Sequence, residues 1–142
     1  MILVDVNLLV YSYNKAAPQH AAAREWFEDL ISSDEVFLLS WHSLLGFLRI
    51  ATNPRASEHP FGPEAAVEIV DQWLSQPQVK VAQPGDRHWR ILRALVVEGQ
   101  CRGQLIPDAH LAALAIEHGA KLATHDRGFA RFKGLEVFYP LA

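Results

Sequence analysis

The sequence predicts an α/β fold, a sandwich of helices around a mostly parallel central sheet. Two observations carry that prediction. Short apolar, β-rich runs recur along the chain, and helical stripes of apolar residues separate them. The spacing between runs leaves room for crossover helices, as parallel pairing requires.

The first run is ILVD at 2–5. From Pro18 to Ile31, Ala23, Trp26, Phe27, Leu30 and Ile31 form one helical stripe. VFLL at 36–39 reads as the second strand. In the segment after it, Trp41, Leu44, Leu45, Leu48 and Thr52 recur at helical intervals as a largely apolar face. Residues 53–62 (NPRASEHPFG) read as a loop. Pro63 suits the first position of a helix reaching Leu74, because its missing N–H costs nothing there. The stripe of that helix is Ala66, Val67, Val70, Trp73 and Leu74. VKVA at 79–82 is the third strand, and Trp89, Leu92 and Val96 mark a further helix. A polar loop at 98–107 leads into PDAHLAALAIEHG, which reads as a helix opened by Asp108. KLAT at 121–124 and the weaker LEVFY at 135–139 complete the strands, with a DRGFARF turn between them.

The whole chain, 1–142, reads as one domain of ordinary size. Half of its residues are hydrophobic and a fifth are charged, as in soluble globular proteins. The first apolar run is short, carries Asp5 and follows no basic residues, so neither a signal peptide nor a membrane span is expected. The single cysteine, Cys101, excludes an internal disulfide and any cysteine-rich zinc site, and a reducing cytoplasm is the default compartment. Net charge is −3 with a pI near 6.1, so the overall field does not announce a nucleic-acid binder. The positive charge is uneven, however. Arg87, Arg90, Arg93 and Arg102 lie in one stretch, and Arg127, Arg131 and Lys133 in another.

Three acids stand out by position. In open α/β sheets, ligands bind beyond the carboxyl ends of the strands. Asp5 ends the first strand, among Leu, Val and Ile, where no capping task is evident for it. Asp126 lies just past KLAT, and Asp108 shares a helical face with Leu111, Ala112 and Ala115. Asp108 could serve as a helix N-cap and Asp126 as the cap of the following turn. If the three converge, repulsion raises their pKa values or requires a cation between them. Oxygen-only ligands suit Mg²⁺ or Mn²⁺ rather than zinc.

The stretches DVNLLVY, FLRIATNPR and PDAHLAALAIEHGAKLATHDRGFARF, in that order, resemble the successive motifs of PIN-domain ribonucleases. They are most similar to VapC-type toxins of bacterial toxin–antitoxin pairs. The resemblance implies a compact three-layer α/β/α fold, usually as a homodimer, and a divalent-cation-dependent endoribonuclease. It places Asp5, Asp108 and Asp126 at the metal-binding, catalytic positions. Asn7 matches a polar residue beside the first acid, and Thr124 a hydroxyl residue able to bond a carboxylate or a phosphate. The expected partners are an RNA substrate and a small VapB-type antitoxin, with no membrane.

One departure matters. Many members of that family carry a fourth acid on the helix after the second strand, where this chain has Gly46. His42, Gly46, Arg49 and Asn53 share one helical face, the face on which that carboxylate would stand. Close helix packing, a water or an approaching substrate could each use the space. His42 is a candidate neighbour of the site, and Arg49 a candidate grip on a substrate phosphate or a salt-bridge partner of an acid. Three acids instead of four predict weak metal binding, or one tightly bound ion with a second recruited by the RNA, and Gly46→Glu is expected to tighten the binding.

The chemistry this implies is phosphodiester hydrolysis by a metal-activated water. It needs no nucleophilic side chain, and the chain has no G-x-S-x-G elbow. An aspartyl-phosphate phosphatase would want a second acid where Asn7 stands. A non-catalytic module binding RNA or an antitoxin, weakened through Gly46, is the alternative.

Overall fold

The computed structural model describes residues 1–141. Its centre is a five-stranded sheet in the order β3-β2-β1-β4-β5, with every neighbouring pair parallel. The strands are β1 (Ile2–Val4), β2 (Phe37–Ser40), β3 (Val79–Ala82), β4 (Lys121–Ala123) and β5 (Val137–Phe138). The helices are α1 (Val6–Tyr13), α2 (His20–Ile31), α3 (Trp41–Ala51), α4 (Pro63–Leu74), α5 (His88–Glu98) and α6 (Leu105–His118). A short 3-10 helix, Arg127–Arg131, joins β4 to β5.

Alternation along the strands splits the core into two layers. Val4, Phe37, Leu39 and Ala123 face α1 to α4, where Leu8, Leu9, Phe27, Phe47 and Trp73 meet them. Leu3, Leu38, Ala82 and Leu122 face α5, α6 and the 3-10 turn. The result is the three-layer α/β/α sandwich expected. Trp73 anchors the first layer, lying edge-on to Phe47 at 4.7 Å and to Phe27 at 5.6 Å between ring centres. Phe129 and Phe132 belong to the second layer.

The order of the strands locates a crevice. From β1 the chain steps outward to β2 and β3, then crosses back to add β4 on the other side of β1. The β1/β4 junction is therefore the point where the winding reverses, and crevices open beyond the carboxyl ends of such strands. Asp5 follows β1 immediately, and Thr124 follows β4.

Several sequence expectations change here. The stretch after β1 is a helix, α1, and Asp5 is its N-cap, its Oδ1 accepting the Val6 N–H at 2.7 Å. Asp5 thus has the capping task that its apolar surroundings seemed to deny it. In α3 the buried residues are Ser43, Leu44 and Phe47, while Trp41 and Leu45 are exposed. The apolar stripe was misphased, because two large apolar residues of α3 face outward. In α4, Ala66, Ile69 and Trp73 are buried and Val67 is half-exposed. Helix α6 starts at Leu105, so Asp108 sits inside its first turn and not at its N-cap. Cys101, expected in a polar loop, is buried.

Candidate active site

The three aspartates reach one region from three elements. Asp5 is 6% exposed, and its two carboxylate oxygens have separate partners. Oδ1 accepts from Val6 and Oδ2 from the Thr124 hydroxyl, each at 2.7 Å. Its own N–H donates to the Ala123 carbonyl at 2.9 Å, so backbone pairing with β4 holds the cap in place. Thr124 is fully buried, and its Oγ1 also accepts the Asp126 N–H at 3.0 Å. Asp126 is exposed and caps the 3-10 turn, its Oδ1 accepting the Gly128 N–H at 2.8 Å. Asn7 Oδ1 accepts the His125 N–H at 3.4 Å, a second tie between α1 and the segment after β4.

The electrostatics show that the acids feel one another. Burial pushes the Asp5 carboxyl above the ordinary carboxylate range, and the charges of Asp108 and Asp126 add to it. Its bonds from Thr124 and Val6 oppose that shift. The Asp108 carboxyl is raised as well, by burial first and then by Asp126. His42 and Arg131 pull it the other way, so both side chains stand near this acid. Sequence reasoning had assigned Arg131 only to a basic stretch. Its position five residues after Asp126, on the turn which that acid caps, was the available signal.

The fourth position is closed by packing. A Cβ on Gly46 would stand 2.9 Å from Val6 Cγ2 and 3.6 Å from Val6 Cβ. Gly46 thus lets α3 pass close to the first residue of α1, beside the Asp5 cap. The close-packing reading of this glycine holds, and a glutamate there would meet a β-branched side chain with little freedom to move. Arg49 lies about 10 Å along α3 from His42, is exposed, and forms no ion pair with an acid among the described residues.

Asp5, Asp108 and Asp126 offer oxygen donors only, the set that hard divalent cations take. Two of the three are destabilised as anions, in part by each other, and a cation between them would relieve this. Among the described residues, no three His, Cys, Asp or Glu side chains are drawn close enough to chelate one ion. The chemistry of the donor set fits such a cation.

The PIN-domain family profile matches residues 2–135. The chain is 41% identical over 141 residues to the VapC ribonuclease Mb2897 of Mycobacterium bovis, covering 99% of this chain and 96% of that protein. The chain belongs to the PIN-domain family, among the VapC ribonucleases. It is also 35% identical over 139 residues to ribonuclease VapC48 of Mycobacterium tuberculosis, covering 97% and 96% of the two proteins. The fold is similar to that in the crystal structure of VapBC2 from Rickettsia felis bound to a promoter DNA fragment. That match has a TM-score of 0.70 at 20% identity and covers 97% of this chain and 98% of the other. In this VapC-family chain, Asp5, Thr124 and Asp126 meet at the β1/β4 junction.

Proposed function

We propose that this protein is a divalent-metal-dependent endoribonuclease, the toxin of a toxin–antitoxin pair acting in the cytoplasm. The observation that carries the reading is the 41% identity of the whole chain to a VapC ribonuclease, and the mutual electrostatic influence of Asp5, Asp108 and Asp126 near the winding reversal of the sheet supports it. Asp5, Asp108 and Asp126 would hold Mg²⁺ or Mn²⁺, which supplies charge neutralisation and an acidified water for phosphodiester hydrolysis.

The chain's own residues do the remaining work. Thr124 fixes the rotamer of Asp5 and, through the Asp126 N–H, the start of the turn that carries Asp126. Asn7 holds α1 to the His125 backbone. Arg131 places positive charge near Asp108, with His42 also nearby, where a substrate phosphate would approach. Arg49 is left as an outlying phosphate contact.

The partner proposed is a VapB-type antitoxin, as the name VapBC2 of the Rickettsia felis complex suggests. Self-association as a homodimer has its own support in Trp41, Leu45 and Trp89, exposed by 51%, 61% and 68%. A second reading, an RNA- or antitoxin-binding module with weakened turnover, draws on Gly46, whose place is taken up by the contact with Val6.

The test is incubation of antitoxin-free protein with a structured RNA pool in Mg²⁺ or Mn²⁺, beside Asp5→Asn prepared identically. Metal-dependent cleavage lost in the variant supports the enzyme. Folded protein that binds RNA but never cleaves it supports the binding module.

A further inference from the structure

Outside the acid centre, helices α5 and α6 carry a polar chain that the proposed mechanism does not use. His110 and Glu117 lie seven residues apart on one face of α6, and His88, the first residue of α5, sits between them. His88 Nε2 and His110 Nδ1 are 3.0 Å apart, with the rings crossed at 77°. On its other side, His88 Nδ1 lies 3.9 Å from Glu117 Oε1. Glu117 is held in place by the Gly85 N–H at 2.7 Å and the Arg87 N–H at 3.0 Å. His88 is 8% exposed, and its Nδ1 has no hydrogen-bond partner.

This arrangement selects one set of tautomers. A bare Nδ1 lone pair on buried His88 would face the Glu117 carboxylate, which is repulsive. A proton on Nδ1 faces it favourably. His88 Nε2 is then the acceptor, so His110 must donate from Nδ1. That leaves His110 Nε2 as an unprotonated acceptor with no partner among the described residues. The backbone bonds keep Glu117 ionised, in agreement with this order.

His110 is not remote from the acids. Its ring centre is 6.4 Å from that of His42, and His42 stands near enough to influence both Asp108 and His110. Phosphate oxygens at neutral pH offer this lone pair no donor. The 2′-hydroxyl that every ribose carries does, and unlike water or a base N–H it separates RNA from DNA.

We propose that Glu117 and His88 are positioning residues that hold His110 with Nε2 as an acceptor, and that His110 receives a ribose 2′-hydroxyl beside the acid centre. This rests on the ribonuclease reading above and adds a source of RNA-over-DNA selectivity to it.

The experiment has two arms. In metal-free wild-type protein, long-range ¹H–¹⁵N correlation spectra should show His110 protonated at Nδ1, and Glu117→Gln or His88→Phe should populate the other tautomer. Wild-type His110 protonated at Nε2 overturns the chain. In the second arm, an oligonucleotide that the wild type cleaves is compared with its all-deoxy version for binding, with Asp126→Asn in every protein to prevent turnover. His110→Phe should weaken RNA binding about three- to tenfold, the range of one hydrogen bond, and leave the deoxy strand unchanged. His110→Gln, which restores an acceptor, should recover part of the discrimination. An unchanged RNA-to-DNA ratio in folded His110→Phe overturns the proposal and leaves the ribonuclease standing. Wild type that neither cleaves nor binds RNA overturns the ribonuclease reading, and this proposal with it.

Discussion

The Thr124 hydroxyl donates to Asp5 Oδ2 at 2.7 Å while accepting the Asp126 N–H at 3.0 Å. One buried side chain thus joins the acid after β1 to the acid after β4, across strands that are 119 residues apart in sequence.

Thr124→Val keeps the shape and removes both bonds. The Asp126 N–H and one Asp5 oxygen lose their partner, and a buried group left unpaired costs about 1–3 kcal/mol. We expect a loss of that size in chemical denaturation, with Thr124→Ser losing less than half as much. A larger loss in Thr124→Ser than in Thr124→Val would mean that the methyl group, and not the hydroxyl, matters at this site.

The raised carboxyl of Asp5 makes metal-free stability depend on pH. Between its ordinary value of 3.8 and its folded value, the folded protein binds more protons than the unfolded chain. Stability from this group therefore falls as pH rises through that window, and the penalty is complete above it. In metal-free buffer, the melting temperature of Asp5→Asn relative to wild type should rise from pH 4 to pH 7. Added Mg²⁺ should reverse the order at pH 7 by stabilising wild type alone, by about 2.7 kcal/mol at a hundredfold excess over Kd. A difference between the proteins that is flat with pH would remove the electrostatic account.

The sequence exposed the architecture because strands and helices differ in period and each strand of this sheet is mostly apolar. It exposed the acids because strand ends are where an α/β sheet presents ligands. It failed where two signals overlap. ILVDVNLLVY is apolar apart from Asp5 and Asn7, so β1 and α1 merge into one run and the capping role of Asp5 is hidden. In α3, outward-facing Trp41 and Leu45 belong to a surface that single-chain burial cannot explain, and they pulled the inferred stripe out of phase. The contact of Gly46 with Val6 joins positions 40 residues apart, and no local pattern encodes it. The chain His88–His110 is equally nonlocal, since only the packing of α5 on α6 makes it.

Gly46 and Val6 supply a test by sign reversal. Gly46→Ala brings Cβ to 2.9 Å from Val6 Cγ2, and overpacking costs about 1–3 kcal/mol. Alanine regains about 0.5–1 kcal/mol of helix propensity, so the net change in wild type is destabilising. With Val6→Ala in the background the clash is gone, and Gly46→Ala should become stabilising by roughly that propensity gain. Gly46→Glu should likewise fold better with Val6→Ala than without it. A Gly46→Ala effect of one sign in both backgrounds would show that the glycine serves something other than this contact.

The exposed side chains of α3 and α5 make the last prediction. Trp41 and Leu45 on α3 and Trp89 on α5 are all more than half exposed. Burying a large apolar side chain is worth about 1.5–3 kcal/mol each, enough in combination to hold two copies together. The same helix ends carry His42 and His88, which meet at His110, so α3 and α5 converge at this corner. Wild type should sediment as a dimer. Leu45→Glu should shift it toward monomer by placing a charge in the contact, at a cost of several kcal/mol when buried without a partner. Because Leu45 is exposed in the single chain, the monomer should keep its melting transition. A monomeric wild type at micromolar concentration would assign these residues to another partner, and the antitoxin would be the first to test against Leu45→Glu.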